Sequence, residues 1–121
     1  GKDVERTMDR VRQYIRRRRE QGKSLAAFGA GGRGIMTLAA TARPGDLAYI
    51  CDSSDAHQSM YTPGARIKIV SPPMTEERPV SEIIVCSYGY IDEIRNQLSA
   101  HTRRGGRITS LLDILNGTAA Q

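Results

Sequence analysis

Gly29, Gly31 and Gly34 stand in the spacing G-x-G-x-x-G inside "SLAAFGAGGRGIMTLAA", residues 24–40. An apolar run precedes them and a helical pattern follows, the context in which such glycines serve a phosphate-bearing ligand. In a dinucleotide site the first glycine makes a tight turn and the second lets the backbone approach a pyrophosphate. The third brings helix and strand close together. The helix N-terminus then adds free N–H groups and a positive dipole. Asp52 ends "LAYICD", 23 residues after Gly29, where an acidic side chain can hold ribose hydroxyls. Arg33, at the helix start, can clasp a phosphate or a carboxylate. The competing explanation is architectural: a tight strand-to-helix turn wants glycine with or without a ligand, and an Asp at a strand end often caps a turn.

Other chemistry-bearing residues are fewer. Tyr88 and Tyr90 follow an apolar strand-like run, at the sheet edge where such folds bind ligands, and can stack on a base or cover the core. Asp92 and Glu93 begin the next helix, where capping explains them. His57 lies in a polar loop, open to solvent or to a ligand. No nucleophile–base pair or carboxylate dyad can be assembled, so no residue is assigned a catalytic role. Two cysteines and two distant histidines, His57 and His101, give no metal-site spacing. Cys51 and Cys86 sit inside apolar runs and read as reduced, buried thiols of a cytoplasmic protein.

The elements that must position these residues alternate between two periods. "SLAAFG" reads as a strand, "RGIMTLAATAR" as a helix, "DLAYICD" and "RIKIVSP" as further strands. "SEIIVCS" is a fourth strand, "YIDEIRNQLSAHTRR" a helix and "GRITSLL" a fifth strand. Runs of Ile, Val, Leu and Ala without strict alternation suit parallel strands covered on both faces. Strand and helix in turn predict right-handed crossovers, hence an α/β doubly wound sheet of about five strands in the order 3-2-1-4-5. Residues 53–65 hold a Thr-Pro-Gly turn and no helical period, so that crossover is expected as a loop or a distorted turn of helix. "PPMTEERP" is similarly short, and the face that these two segments cross is expected to be thinly covered. The tail "NGTAAQ" reads as disordered.

Composition bounds the class. With 121 residues the chain is expected to form one domain, 1–121, with an ordinary core. Apolar content of 39% and charged content of 26% suit a globular protein. No apolar run approaches the roughly 20 residues of a membrane helix, and no signal-peptide pattern opens the chain. The net charge of +5 is concentrated in "DVERTMDRVRQYIRRRREQGK". Val4, Met8, Val11 and Ile15 form one apolar stripe there, and Arg16 to Arg19 suit the helix C-terminal dipole on a solvated face. Nucleic-acid binding is not expected, since no aromatic interleaving or reading motif accompanies the arginines.

Several segments together resemble the C-terminal domain of the sugar C-methyltransferases. "GKSLAAFGAGGRGIMTLA" is similar to that family's "GK-x-hydrophobic-x-x-YGA-x-x-KG" opening. "YICDSSDAHQSMYTPGARIKIVSP" resembles its strand ending in Asp, followed by a loop to "TPG-x-x-I-x-I". "SEIIVCSYGYIDEI" and "GGRITSLLDIL" resemble its aromatic-tailed strand with a "DEI" helix start and its terminal strand. The likeness spans residues 4 to 115. Departures are Ile35 where Asn is usual, Arg33 where Lys is usual, and Tyr88-Gly89-Tyr90 where Trp-Asn and an aromatic residue are usual. The resemblance implies a Rossmann-like domain at the end of a longer polypeptide whose other parts bind zinc and S-adenosylmethionine and carry the catalytic residues. It implies that Gly29, Gly31, Arg33, Gly34, Asp52, Tyr88 and Tyr90 face a nucleotide sugar. The alternative from the glycines alone is a stand-alone module binding NAD or another adenine nucleotide.

Overall fold

The computed structural model describes all residues except 30–32, 54–59, 63, 88 and 121, and for Arg33 the backbone only. The described chain runs α1 (Lys2–Glu20), β1 (Leu25–Gly29), α2 (Arg33–Thr41), β2 (Ile50–Asp52), β3 (Ile69–Val70) and α3 (Met74–Glu77). It continues through β4 (Glu82–Val85), α4 (Ile91–Gln97), α5 (Ser99–Arg103), β5 (Arg107–Ser110) and α6 (Leu111–Asn116). The five strands are parallel and lie in the order β3-β2-β1-β4-β5. The α/β sheet expected from the sequence is the sheet observed.

β1 is central and buried along all five residues, because each face of the sheet carries its own core. Leu25 and Ala27 point to one face and join Val11 and Ile15 of α1, Leu38 of α2, and Leu111 and Ile114 of α6. Ala26 and Phe28 point to the other, with Ile83 and Val85 of β4 and Ile94 and Leu98 of the α4–α5 run. This period-two division of one strand between two cores is what a doubly covered sheet demands. The second face is covered more lightly, by the single turn of α3 and the short α4 and α5.

Four details correct the sequence expectations. Residues 90–104 form two helices meeting at Leu98, whose N–H bonds to Ile94 O at 2.9 Å while its carbonyl accepts from Thr102 N–H at 3.1 Å. Helical hydrogen bonds therefore run on through Leu98, which is seated in the core. β5 ends at Ser110 because its hydroxyl caps α6, accepting from Leu112 N–H at 3.2 Å. "SLL" thus starts a helix, with Leu111 and Ile114 buried at helical spacing. The tail is ordered through Ala120: Asp113 O accepts from the N–H groups of Thr118 and Ala119, and the Ala120 carbonyl takes two arginine hydrogen bonds. Finally, the apolar stripe of α1 is shifted: Val4 is exposed, whereas Tyr14 and Arg18 are buried beside Val11 and Ile15.

Arg18 is buried because its partner lies under the sheet. Its Nε is 3.1 Å from Oε1 of Glu82, a residue 2% exposed at the first position of β4. Glu82 Oε2 accepts from the Tyr14 hydroxyl at 2.5 Å and the Thr109 hydroxyl at 2.6 Å. Arg18 also donates to Tyr14 Oη, Gln21 Oε1 and Ala120 O. Every polar atom of this cluster is partnered, the condition under which a buried charge pair is tolerated. Burial, followed by the neighbouring Glu82 carboxylate, pushes the Tyr14 hydroxyl above its ordinary range.

Most of the β2–β3 crossover, expected as a loop or a distorted turn of helix, lies at residues 54–59 and 63, outside the described residues. Its described end folds back antiparallel: Ile69 N–H bonds Met60 O at 2.8 Å, Thr62 N–H bonds Ile67 O at 2.9 Å, and Tyr61 bridges Lys68. Arg66 takes φ 54°, an uncommon conformation for a side-chain-bearing residue, to make that reversal.

Candidate functional site

Parallel strands deliver their carboxyl ends to one edge, and the order 3-2-1-4-5 puts the point where the winding reverses between β1 and β4. Crossover segments diverge at such a point and leave a crevice. Of the sequence-predicted residues, Gly29, Asp52 and Gly34 lie at or against these strand ends. Gly29 ends β1 and pairs with Asp52, which ends β2. Ser53 N–H donates to Gly29 O at 3.2 Å, so the two strand ends are tied side by side. Cys86 N–H donates to Phe28 O at 2.8 Å from the β4 side.

The glycines divide by role. A Cβ on Gly34 would lie 2.3 Å from the carbonyl oxygen of Cys86, so α2 rests directly on the end of β4 and only glycine fits. That is the close helix-on-strand packing expected of the third glycine. A Cβ on Gly29 would meet the Ile35 side chain at 2.7 Å, a contact with a movable group. Gly31 and Tyr88 lie outside the described residues, as does His57, and Arg33 is placed at the first position of α2 through its backbone alone. Asp52 is 2% exposed, so its carboxylate meets a ligand only if the side chain turns outward.

Tyr90 is different. It is 62% exposed at the N-cap position of α4 and lines an open cleft of about 350 Å³ with Phe28, Ser53, Glu93, Ile94 and Gln97. Phe28 and Ile94 supply an apolar floor. Ser53 faces in from the end of β2, and Glu93 and Gln97, four residues apart on α4, present a carboxylate and an amide from one helix face. An aromatic ring beside a hydroxyl, a carboxylate and an amide can stack on a flat ring and exchange hydrogen bonds with a polyol. The sequence reading named Tyr90 but assigned Glu93 only to capping and passed over Ser53 and Gln97. The i, i+4 spacing of Glu93 and Gln97 was the available signal. Tyr90 as N-cap makes no side-chain capping bond.

The two thiols are free and buried nearby. Burial pushes both Cys51 and Cys86 up to about 12, which keeps them protonated and unreactive at neutral pH.

Over residues 1–112 the sequence matches the profile of the C-methyltransferase C-terminal domain. The chain belongs to that family. The match agrees with the resemblance seen in the glycine loop, the Asp-terminated strand and the TPG segment. It establishes this C-methyltransferase C-terminal domain as a methyltransferase-associated unit, with a methyltransferase domain as its partner. A comparison with curated proteins finds no match. No described helix of the domain is long and apolar enough to cross a membrane.

Proposed function

We propose that residues 1–121 form one domain at the end of a cytoplasmic S-adenosylmethionine-dependent sugar C-methyltransferase, where it frames the nucleotide-sugar side of the cleft. The observation that carries this reading is the carboxyl-edge cleft, in which exposed Tyr90 stands over Ser53, Glu93 and Gln97. Those groups suit recognition of a hydroxyl-rich ligand, and none of them forms a nucleophile–base pair. S-adenosylmethionine, bound by the rest of the polypeptide, supplies the methyl group. Here Tyr90 would pack on a base or sugar face, Glu93 and Gln97 would hold hydroxyls, and Gly29, Gly31 and Arg33 would lie towards the diphosphate. Gly34 supports this surface from behind by letting α2 sit on Cys86.

The test is thermal melting and calorimetry of the chain against nucleotide sugars, their nucleoside diphosphates, S-adenosylmethionine and NAD. A ligand at about 100 times its Kd adds roughly 2.7 kcal/mol, which is several degrees for a domain of this size. The expected result is a shift with nucleotide sugars that Tyr90→Ala and Glu93→Gln remove while leaving the ligand-free Tm in place. A shift with NAD alone would replace this reading by the dinucleotide module, and no shift with any nucleotide sugar would end it.

A further inference from the structure

A second cavity lies at the opposite edge of the sheet. It encloses about 550 Å³ where the chain enters β1, β4 and β5, between the end of α1, the 79–82 segment and the Arg104–Arg107 turn. Its rim carries four cations, Arg18, Lys23, Arg104 and Arg107, against one carboxylate, Glu82. That carboxylate is already satisfied by Arg18, Tyr14 and Thr109. Arg107 stands 4.0 Å from it and spends its Nη2 on the neutral Ala120 carbonyl. Arg104 likewise donates Nη2 to a neutral carbonyl, Thr75 O, at 3.1 Å. Among the described residues Arg104 and Lys23 have no acidic partner.

Two guanidinium groups are thus anchored by carbonyls while keeping their charge and further N–H donors. Anchoring reduces the ordering cost of binding, and the free edge of a guanidinium matches two oxygens of a phosphate. A concave wall of like charge also concentrates anions. The C-terminal ends of α1 and α5 point to the same edge and oppose an anion, but Arg17, Arg19 and Arg103 in their last turns offset those dipoles. Ser24 and Ser81 add hydroxyls to the wall, and Pro79 and Val80 an apolar strip.

We propose that this amino-edge cavity is a second ligand site, for a small phosphate-bearing molecule held by Lys23, Arg104 and Arg107. Its volume lies in the range of small-molecule pockets, about 300–1,000 Å³, and exceeds what a phosphate group alone fills.

Amide NMR titration of the chain at constant ionic strength tests it, with inorganic pyrophosphate and uridine diphosphate as separate probes. The expected result is saturation with Kd below about 1 mM. The amides that move should be those of Lys23, Ser24, Gly105 and Gly106. Ser53 and Glu93 report independently on the carboxyl-edge cleft, so either site can fail alone. Equal affinity for the two probes assigns the site to the phosphates. Tighter uridine diphosphate binding that also moves Val80 places a nucleoside on the apolar strip. The Lys23→Gln, Arg104→Gln double variant changes two exposed side chains, so its Tm should hold while affinity falls at least tenfold. Shifts that stay linear to about tenfold above that Kd, or saturating shifts unchanged by the double variant, would overturn the proposal.

Discussion

Two glycines of one motif carry different obligations, and single substitutions separate them. At Gly34 a methyl group would be driven into the carbonyl of Cys86, which directly follows β4 and is tied to β1 by its own N–H on Phe28 O. Gly34→Ala is therefore expected to cost about 1–3 kcal/mol or more, as overpacking does. Gly29→Ala meets Ile35 Cδ1 at 2.7 Å and Cγ1 at 2.9 Å, side-chain atoms and not backbone, and should cost less. Urea denaturation of the two variants gives the comparison directly; equal losses would show that α2 is free to lift off the strand. The sequence pattern could place both glycines at a strand–helix junction. It could not distinguish them, because what distinguishes them is the identity of the atom across the gap, and Cys86 is 52 positions away from Gly34. For the same reason Glu93 was legible as an acidic residue in a first helical turn but not as a neighbour of Ser53, which another crossover brings to the cleft.

Elements are joined most firmly where Glu82 ties β4 to α1 through Arg18 and Tyr14, and to β5 through Thr109. Glu82→Ala would leave Arg18 buried without its counter-charge, a loss expected at about 3–5 kcal/mol. Thr109→Val removes one donor to the carboxylate and should cost about 1.5–3 kcal/mol. Chemical denaturation measures both, and a smaller effect from Glu82 than from Thr109 would contradict this account. The elements themselves were largely readable: five apolar runs became five strands in the expected order. Two features were not. "RRRRE" reads as a uniform cationic run, and only burial beneath β4 singles out Arg18 from its neighbours. "SLL" has strand composition, and it turns into α6 because Ser110 caps the helix and Leu111 and Ile114 find the α1 side of the core.

At the scale of the whole molecule, folding holds back the ionisation of two thiols and two phenols among the described residues, Tyr14 being one of the phenols. Burial holds Cys51 and Cys86 at about 12 against an ordinary 9.0, and Tyr49 at about 12 against 10.0. Each raised value means that the unfolded chain gives up its proton first, so this contribution to stability is complete below about pH 9 and is lost as pH climbs towards 12. The Tm measured across that window should fall steeply, and less steeply in Cys86→Ala once its lower neutral-pH stability is subtracted. A flat profile would mean that these groups ionise alike in both states. The fold also has a direction in time. Arg18 is made 102 residues before the Ala120 carbonyl that it holds, and well before Leu111 and Ile114, which cover its helix. While a ribosome is still adding those residues, α1 has no finished surface to lie on. Until α6 has emerged, α1 and its basic segment lack part of the surface that completes the first face of the sheet.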